Sequence, residues 1–246
     1  MIKLVLIGYG KMGKTIDALA RQEGFEVIAK INSEHDWISG RLKLNEADVA
    51  IEFTTPAASA GNIRRCFEIQ LPVVCGTTGW ENEKESIKNE CISNHKTLIV
   101  APNFSLGVNI FFMVNRYIAG LMNAANQFDI EIEEIHHVHK LDTPSGTAKE
   151  LANDLIKLVD RKTSWVNHET NVKSELPVIS KRAGEVPGTH IVRYFSAIDE
   201  IEIKHSAKSR SGFAFGALLA AKWIKGKTGY FTMDDLMQSM FANRVK

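Results

Sequence analysis

The feature that most constrains this chain is a six-residue run, Gly8-Tyr9-Gly10-Lys11-Met12-Gly13, set between two contrasting patterns. Before it stands Lys3-Leu4-Val5-Leu6-Ile7, a short continuous apolar run suited to a buried strand. After it, Lys14 to Glu23 places Ile16, Leu19 and Ala20 at helical spacing until Gly24 ends the helix. A strand that turns through G-x-G-x-x-G into a helix has defined needs. The first glycine makes the tight turn, the second lets the backbone approach a diphosphate, and the third lets helix and strand pack closely. The helix start adds unpaired N–H groups and a partial positive charge. Gly8, Tyr9, Gly10, Lys11, Met12 and Gly13 therefore form a candidate dinucleotide cradle, against the plainer reading of a glycine-rich turn without a ligand.

The first half continues the same alternation. Glu26 to Ile31, Asp48 to Phe53, Pro72 to Cys75 and Thr97 to Ala101 read as strands, with helices over Ala57 to Ile69 and Asn82 to Asn94. Such alternation predicts a parallel sheet covered on both faces. At the tip of the second strand, where an acidic residue would bond the ribose 2′-OH, stands Asn32 followed by Ser33. A neutral tip neither repels nor attracts a 2′-phosphate, and Glu34 and Asp36 are close enough to bend back. NADH and NADPH both stay open as cofactors.

The pattern changes after Asn103. Val108 to Asn126 is a long apolar helix and Phe128 to Val138 alternates like a strand. Shorter alternating runs recur at Leu176 to Ile179, His190 to Phe195 and Ile198 to His205. Helices are expected at Ala148 to Val159, Phe213 to Lys225 and Met233 to Ala242, while Trp37 to Leu44 reads as a compressed loop. The expected fold class is α/β: a Rossmann-type dinucleotide-binding domain plus an α+β substrate and oligomerisation domain with a mixed sheet. The first would take residues 1–106 and 214–246, the second residues 107–213.

Charge and apolar content narrow the function classes. The 30 basic and 29 acidic side chains leave a formal charge of +1, without the basic excess that nucleic-acid binding usually needs. No apolar stretch reaches the ~18 residues of a membrane span, so a cytoplasmic protein is expected. Cys66, Cys75 and Cys91 are odd in number and lack C-x-x-C spacing, which predicts buried free thiols in a reducing compartment.

Chemistry concentrates at His136-His137-Val138-His139-Lys140, the densest cluster of histidines in the chain, with a lysine beside them. The segment ends a strand and precedes the turn-rich Leu141-Asp142-Thr143-Pro144-Ser145-Gly146-Thr147, which runs into the helix from Ala148. Thr147 and Glu150 have capping-box spacing, so Thr147 is the expected N-cap. The N–H groups around Gly146, Thr147 and Ala148 would then receive a carboxylate. Histidine exchanges protons near neutral pH and lysine supplies a fixed positive charge, which suits reduction of a polarised double bond in a small acidic substrate. Neighbouring histidines on a strand point to opposite faces and no Cys, Asp or Glu stands at a familiar ligand offset, so no metal is expected. A solvated polar strand end is the bland alternative. His190 and His205 read as strand-face residues. The basic turn Lys208-Ser209-Arg210-Ser211 reads equally as a carboxylate contact and as a solvated loop.

Several blocks resemble the dihydrodipicolinate reductase family over nearly the whole chain: the glycine run at 8–13, Glu52-Phe53-Thr54 with Pro56, Gly76-Thr77-Thr78-Gly79, Ala101-Pro102-Asn103-Phe104-Ser105, and Glu134 through Ala148. The last block fits the family's E-x-H-H-x-x-K-x-D-x-P-S-G-T-A and is highly specific. The resemblance implies NAD(P)H-dependent reduction of 4-hydroxy-tetrahydrodipicolinate to tetrahydrodipicolinate in lysine and diaminopimelate biosynthesis. It implies His136 as acid/base, Lys140 as proton donor and electrostatic partner, and His137, Ser145, Gly146 and Thr147 around the substrate carboxylates. Gly76, Thr77, Thr78, Ala101, Pro102, Asn103 and Phe104 would line the nicotinamide half of the cofactor site. A homotetramer built through the sheet of the second domain is likewise implied; closure of the two domains over the dicarboxylate is expected, to exclude water. Asn32-Ser33 departs from the acidic residue and arginine that the family often carries near the ribose. The rival reading is another Rossmann-type dehydrogenase of a small amino or hydroxy acid, or a dinucleotide sensor without activity.

Overall fold

The computed structural model describes residues 1–209 and 211–242. Its elements in chain order are β1 Ile2–Ile7, α1 Lys11–Ala20, β2 Phe25–Ile31, α2 Glu34–Ser39, α3 Arg41–Leu44, β3 Val49–Glu52, α4 Pro56–Glu68, β4 Val73–Cys75, α5 Glu81–Ser93 and β5 Thr97–Val100. They continue with α6 Leu106–Asn123, β6 Asp129–His136, α7 Gly146–Leu158, β7 Ser164–Val166, β8 Glu175–Arg182, β9 Thr189–Phe195, β10 Glu200–Ser206, α8 Ser211–Ile224, β11 Gly229–Phe231 and α9 Met233–Phe241. The chain divides into two units: Met1–Leu106 with the described part of Arg210–Lys246, and Gly107–Ser209.

In the first unit the continuous apolar runs become strands buried on both faces, as a parallel sheet between helices requires. Val49 to Glu52, Val73 to Cys75 and Thr97 to Val100 are all buried. The six strands lie in the order β11-β5-β4-β3-β1-β2, all parallel. Strand order reverses between β1 and β3, so the loops that follow these two strands flank a topological switch point, where α/β sheets bind ligands. The core joins Val5, Ile7, Ala50, Val73 and Leu98 from the sheet to Ile63, Phe67 and Ile87 from α4 and α5.

The second unit carries the mixed sheet expected from the alternating runs, in the order β10-β9-β6-β8-β7. β6 pairs antiparallel with β9 and parallel with β8. Alternation along β6 buries Ile130, Ile132, Glu134 and His136 on one face. Val108, Phe111 and Phe112 of α6 and Leu151, Ala152 and Leu155 of α7 pack with Ile130, Ile132, Val178, Val192 and Tyr194 into its core. Glu134 and His136 thus continue a core-facing row.

Four elements were not expected. α2 starts before the stretch read as a loop and runs into it, because Ser33 caps it and Asp36 completes a capping box, a local signal without apolar periodicity. α3 follows directly. β7 and β11 have three residues each and exist through pairing with distant strands, β8 and β5. α1 starts at Lys11, within the glycine run, rather than at Lys14. No described helix is long and apolar enough to cross a membrane. The three cysteines are buried and free. Arg210, singled out in the basic turn, lies outside the described residues.

Candidate active site

The glycine run has the geometry its spacing demands. Gly8 sits at φ +91, and a Cβ there would stand 2.1 Å from the Phe53 carbonyl oxygen, so the turn is open only to glycine. A Cβ on Gly13 would lie 2.2 Å from the Gly8 carbonyl oxygen, which is the close helix–strand approach of the third glycine. Gly10, the N-cap of α1, has no side-chain cap, and nothing stands within 4 Å of the place of its missing Cβ. Space and unpaired N–H groups therefore coincide over the helix start, and the residues fit a dinucleotide diphosphate. Tyr9 stacks under Lys30, whose Nζ lies 4.3 Å from the ring centroid, and the Tyr9 hydroxyl donates to Asp17. Lys11 and Met12 open the helix itself.

Asn32 faces the glycine run: its Oδ1 accepts the Tyr9 N–H at 2.7 Å. The acidic residues beyond it are engaged. Asp36 Oδ2 accepts the N–H groups of Asn32 and Ser33 at 2.8 and 2.9 Å, and Glu34 pairs with Arg65 at 2.7 Å.

Behind the loops after β3 and β4 lies a buried network that the sequence reading passed over. Glu52, at the end of β3, is fully buried. Its carboxylate accepts from the Thr54 N–H at 3.1 Å, the Thr54 hydroxyl, Ser59 Oγ at 3.1 Å and Cys75 Sγ at 3.2 Å. Thr54 N–H also donates to Thr77 Oγ1 at 2.8 Å, and Trp80 Nε1 donates to the Thr77 carbonyl at 2.7 Å. Gly76 is required here because a Cβ would fall 2.2 Å from the Phe53 ring. Thr78 is exposed at the rim. Ala101 N–H bonds the Cys75 carbonyl, Pro102 is exposed, Asn103 Oδ1 caps the Ser105 N–H, and Phe104 is buried edge-on to Phe53. These residues form one set of loops at the carboxyl ends of the strands.

In the second unit, β6 ends at His136 and the chain turns through His137 to Lys140. Lys140 pairs with Asp142 at 2.7 Å. Arg182, missed in the sequence, staples this turn: its Nη2 donates to the Asp142 carbonyl at 2.7 Å and its Nε to the Lys140 carbonyl at 3.3 Å. His137 is half-buried, with an unpartnered Nδ1, and its ring lies 6.2 Å from that of His139. His139 is exposed beside Glu185.

The start of α7 corrects the expected cap. Ser145, not Thr147, is the N-cap: its Oγ accepts the Ala148 N–H at 3.2 Å. The physical reason is that Gly146 and Thr147 already belong to the helix, so the extended residue before them has the side chain that can reach back. Ser145 is buried, and its N–H donates to Glu134 at 3.0 Å. Gly146 is exposed and Thr147 half-exposed in a first turn without acidic residues.

His190 is the second residue the sequence reading undervalued. It is buried opposite Glu134 in the β6–β9 register, with its ring centroid 5.0 Å from that of His136 and its Nε2 3.1 Å from Ser145 Oγ. Only strand register reveals this neighbourhood, since the two histidines are far apart in sequence. Burial would raise the Glu134 carboxyl, but the His190 ring 3.6 Å away and the bonds from Ser145 and Ser180 outweigh it and hold the group at about 2. Burial pushes His136 down to about 4, helped by His190, Lys140 and Arg182 and opposed by Glu134. Glu134, His136 and His190 place one ligand-type atom each within 4.8 Å, a metal-like spacing that the sequence offsets hid. Glu134, however, already accepts Ser145 N–H and Ser180 Oγ.

A glycine cradle at the switch point of a doubly wound sheet, carried with a buried histidine–carboxylate site, defines a Rossmann-type oxidoreductase that uses a pyridine nucleotide. Family models described as the N-terminus and C-terminus of dihydrodipicolinate reductase match residues 2–104 and 107–237. The chain belongs to the dihydrodipicolinate reductase family. A relative from Christiangramia forsetii, named 4-hydroxy-tetrahydrodipicolinate reductase, is 43% identical over 98% of this chain and 100% of its own length. One of the same name from Archaeoglobus fulgidus is 36% identical over 93% of this chain and 96% of its own. A dipicolinate-bound dihydrodipicolinate reductase from Paenisporosarcina sp. TG-14 shares the fold, with TM-score 0.75 and 22% identity over 94% of this chain and 97% of that one.

Proposed function

We propose that the chain reduces 4-hydroxy-tetrahydrodipicolinate to tetrahydrodipicolinate with NAD(P)H, a step of lysine and diaminopimelate biosynthesis. The observation that carries this reading is the block from Glu134 to Ala148, whose strand end, stapled turn and capped helix start gather at a buried carboxylate–histidine pair. In the overall reaction the 4-hydroxyl leaves as water, a hydride takes its carbon, and one proton is consumed. Bound NAD(P)H supplies the hydride.

The chain's own residues handle the rest. His136 moves the proton to the reduced ring. Lys140 supplies positive charge to an anionic substrate, exchanging Asp142 for a substrate carboxylate. His137 and the first-turn N–H groups at Gly146 and Thr147 hold carboxylates, and Ser145 fixes that turn from within. Gly8 to Gly13 hold the diphosphate and Asn32 fixes the Tyr9 peptide beside it. Gly76, Thr77, Thr78 and Ala101 to Phe104 line the nicotinamide half. With Asp36 and Glu34 both engaged near the ribose end, either coenzyme is accepted.

The mixed-sheet face opposite α6 and α7 carries Arg193, paired to Glu131, Glu133 and Glu202, and Lys181, paired to Glu133. A homotetramer built through this face, in the cytoplasm, completes the proposal; light scattering that returned a monomer would remove the assembly. The activity test follows coenzyme oxidation with freshly generated product of dihydrodipicolinate synthase. Turnover with NADH or NADPH that His136→Gln lowers about a hundredfold is expected, and no turnover with either coenzyme overturns the reading.

A further inference from the structure

The register of β6 and β9 places three titratable side chains on one buried face. Glu134 stands opposite His190 and two residues before His136. Its Oε2 lies 3.5 Å from His136 Nδ1 and 3.6 Å from His190 Nε2. The His136 residue is 6% exposed, and its Nδ1 has no hydrogen-bond partner. An orphaned ring nitrogen is unfavourable in such a place, and the carboxylate beside it is the acceptor within reach. Catalytic hydrogen bonds of this kind are often long before substrate binds. Glu134 is itself fixed in advance, by the Ser145 N–H at 3.0 Å and Ser180 Oγ at 2.8 Å.

We propose that Glu134 is a positioning residue for His136: its carboxylate takes the Nδ1–H, fixes the tautomer in which Nε2 is the reactive atom, and balances the imidazolium formed during turnover. The meaning of that turnover rests on the function proposed above. The far side of the ring is kept clear by Gly188, where a Cβ would come within 3.1 Å of His136 Nε2. The charged and titratable groups facing the ring are Glu134 from β6, His190 from β9, Arg182 from β8 and Lys140 from the following turn. Of these, Glu134 alone favours the protonated ring, and a bound dicarboxylate adds to it. The proton balance closes: Nε2 takes a proton from water as substrate binds, passes it to the reduced ring, and returns to neutral. Glu134 stays ionised throughout.

The test uses the full chain with Glu134→Gln and Glu134→Asp. Glutamine keeps an oxygen for Ser145 and Ser180 but turns an NH₂ group toward His136, which reverses the tautomer. Expected for Glu134→Gln are a kcat lowered about a hundredfold, a substrate KM and an NADH Kd by fluorescence that change less than about threefold, and a basic limb of the pH profile moved down by about one unit or more. Glu134→Asp should recover part of the kcat. Nitrogen-15 spectra of histidine-labelled protein, with His136 assigned through His136→Asn, should show Nδ1–H in the free wild type and Nε2–H in Glu134→Gln. An Nε2–H tautomer in the wild type overturns the proposal, as does an unchanged kcat and pH profile in Glu134→Gln. If the wild type turned over no substrate, the proposed function would fail while the spectra still decided this role. If Glu134→Gln failed to fold, the wild-type spectrum would decide alone.

Discussion

Acidification from pH 7 to pH 5 should destabilise the protein through His136, and the amount can be worked from its surroundings. Burial lowers this imidazole from an ordinary 6.5 to about 4 in the folded chain. A depressed histidine contributes stability that is complete above the unfolded value and is lost as pH falls toward the folded one. At pH 5 the unfolded ring is almost wholly protonated, whereas the folded ring carries only about a tenth of a proton. At 1.36 kcal/mol per pKa unit, the loss between pH 7 and pH 5 comes to about 2 kcal/mol. Glu134 does not blur this window. Its carboxyl is held at about 2 against an ordinary 4.5, so its contribution is lost mainly between those values, as pH falls further. The assay is urea unfolding of wild type and His136→Asn at both pH values. The wild type should lose about 2 kcal/mol more than the variant, because the other titrating groups are common to both chains. Equal losses would mean that His136 is not held neutral by burial, and the reasoning about its resting state would fail.

Three further outcomes follow from the geometry. Gly8→Ala places a Cβ at φ +91 and 2.1 Å from the Phe53 carbonyl oxygen, so NADH and NADPH affinity, read by fluorescence titration, should each fall by about tenfold or more; unchanged binding would detach the glycine run from the coenzyme. Asn32→Ala removes the acceptor of the Tyr9 N–H and should weaken both coenzymes by a similar factor, whereas a change in their ratio would make Asn32 a reader of the ribose. Ser145→Ala loses the cap of α7 and should cost about 1 kcal/mol in urea unfolding, with a raised substrate KM; full stability would deny Ser145 its place at the helix start.

What the sequence disclosed and what it hid divide along physical lines. The glycine run was legible because each glycine answers a local steric need, visible again in the Cβ positions at Gly8 and Gly13. The histidine segment was legible as a contiguous block. Its partners were not: His190 reaches His136 only through the β6–β9 register, and Arg182 only through the β6–β8 register. Glu134 stood inside the quoted block, yet its burial depends on the alternation of β6 beneath α6 and α7. The cap was misplaced by two residues because Ser145 and Thr147 both have capping side chains, and only backbone conformation separates them. α2 escaped because it is short and rests on its Ser33–Asp36 box rather than on an apolar stripe.

The most direct measurement supplies NADH or NADPH deuterated at the transferring position with freshly made 4-hydroxy-tetrahydrodipicolinate, and weighs the product. The proposed reaction predicts tetrahydrodipicolinate carrying one deuterium, formed about a hundredfold more slowly by His136→Gln. Coenzyme oxidation without label in that product, or no oxidation at all, would contradict it.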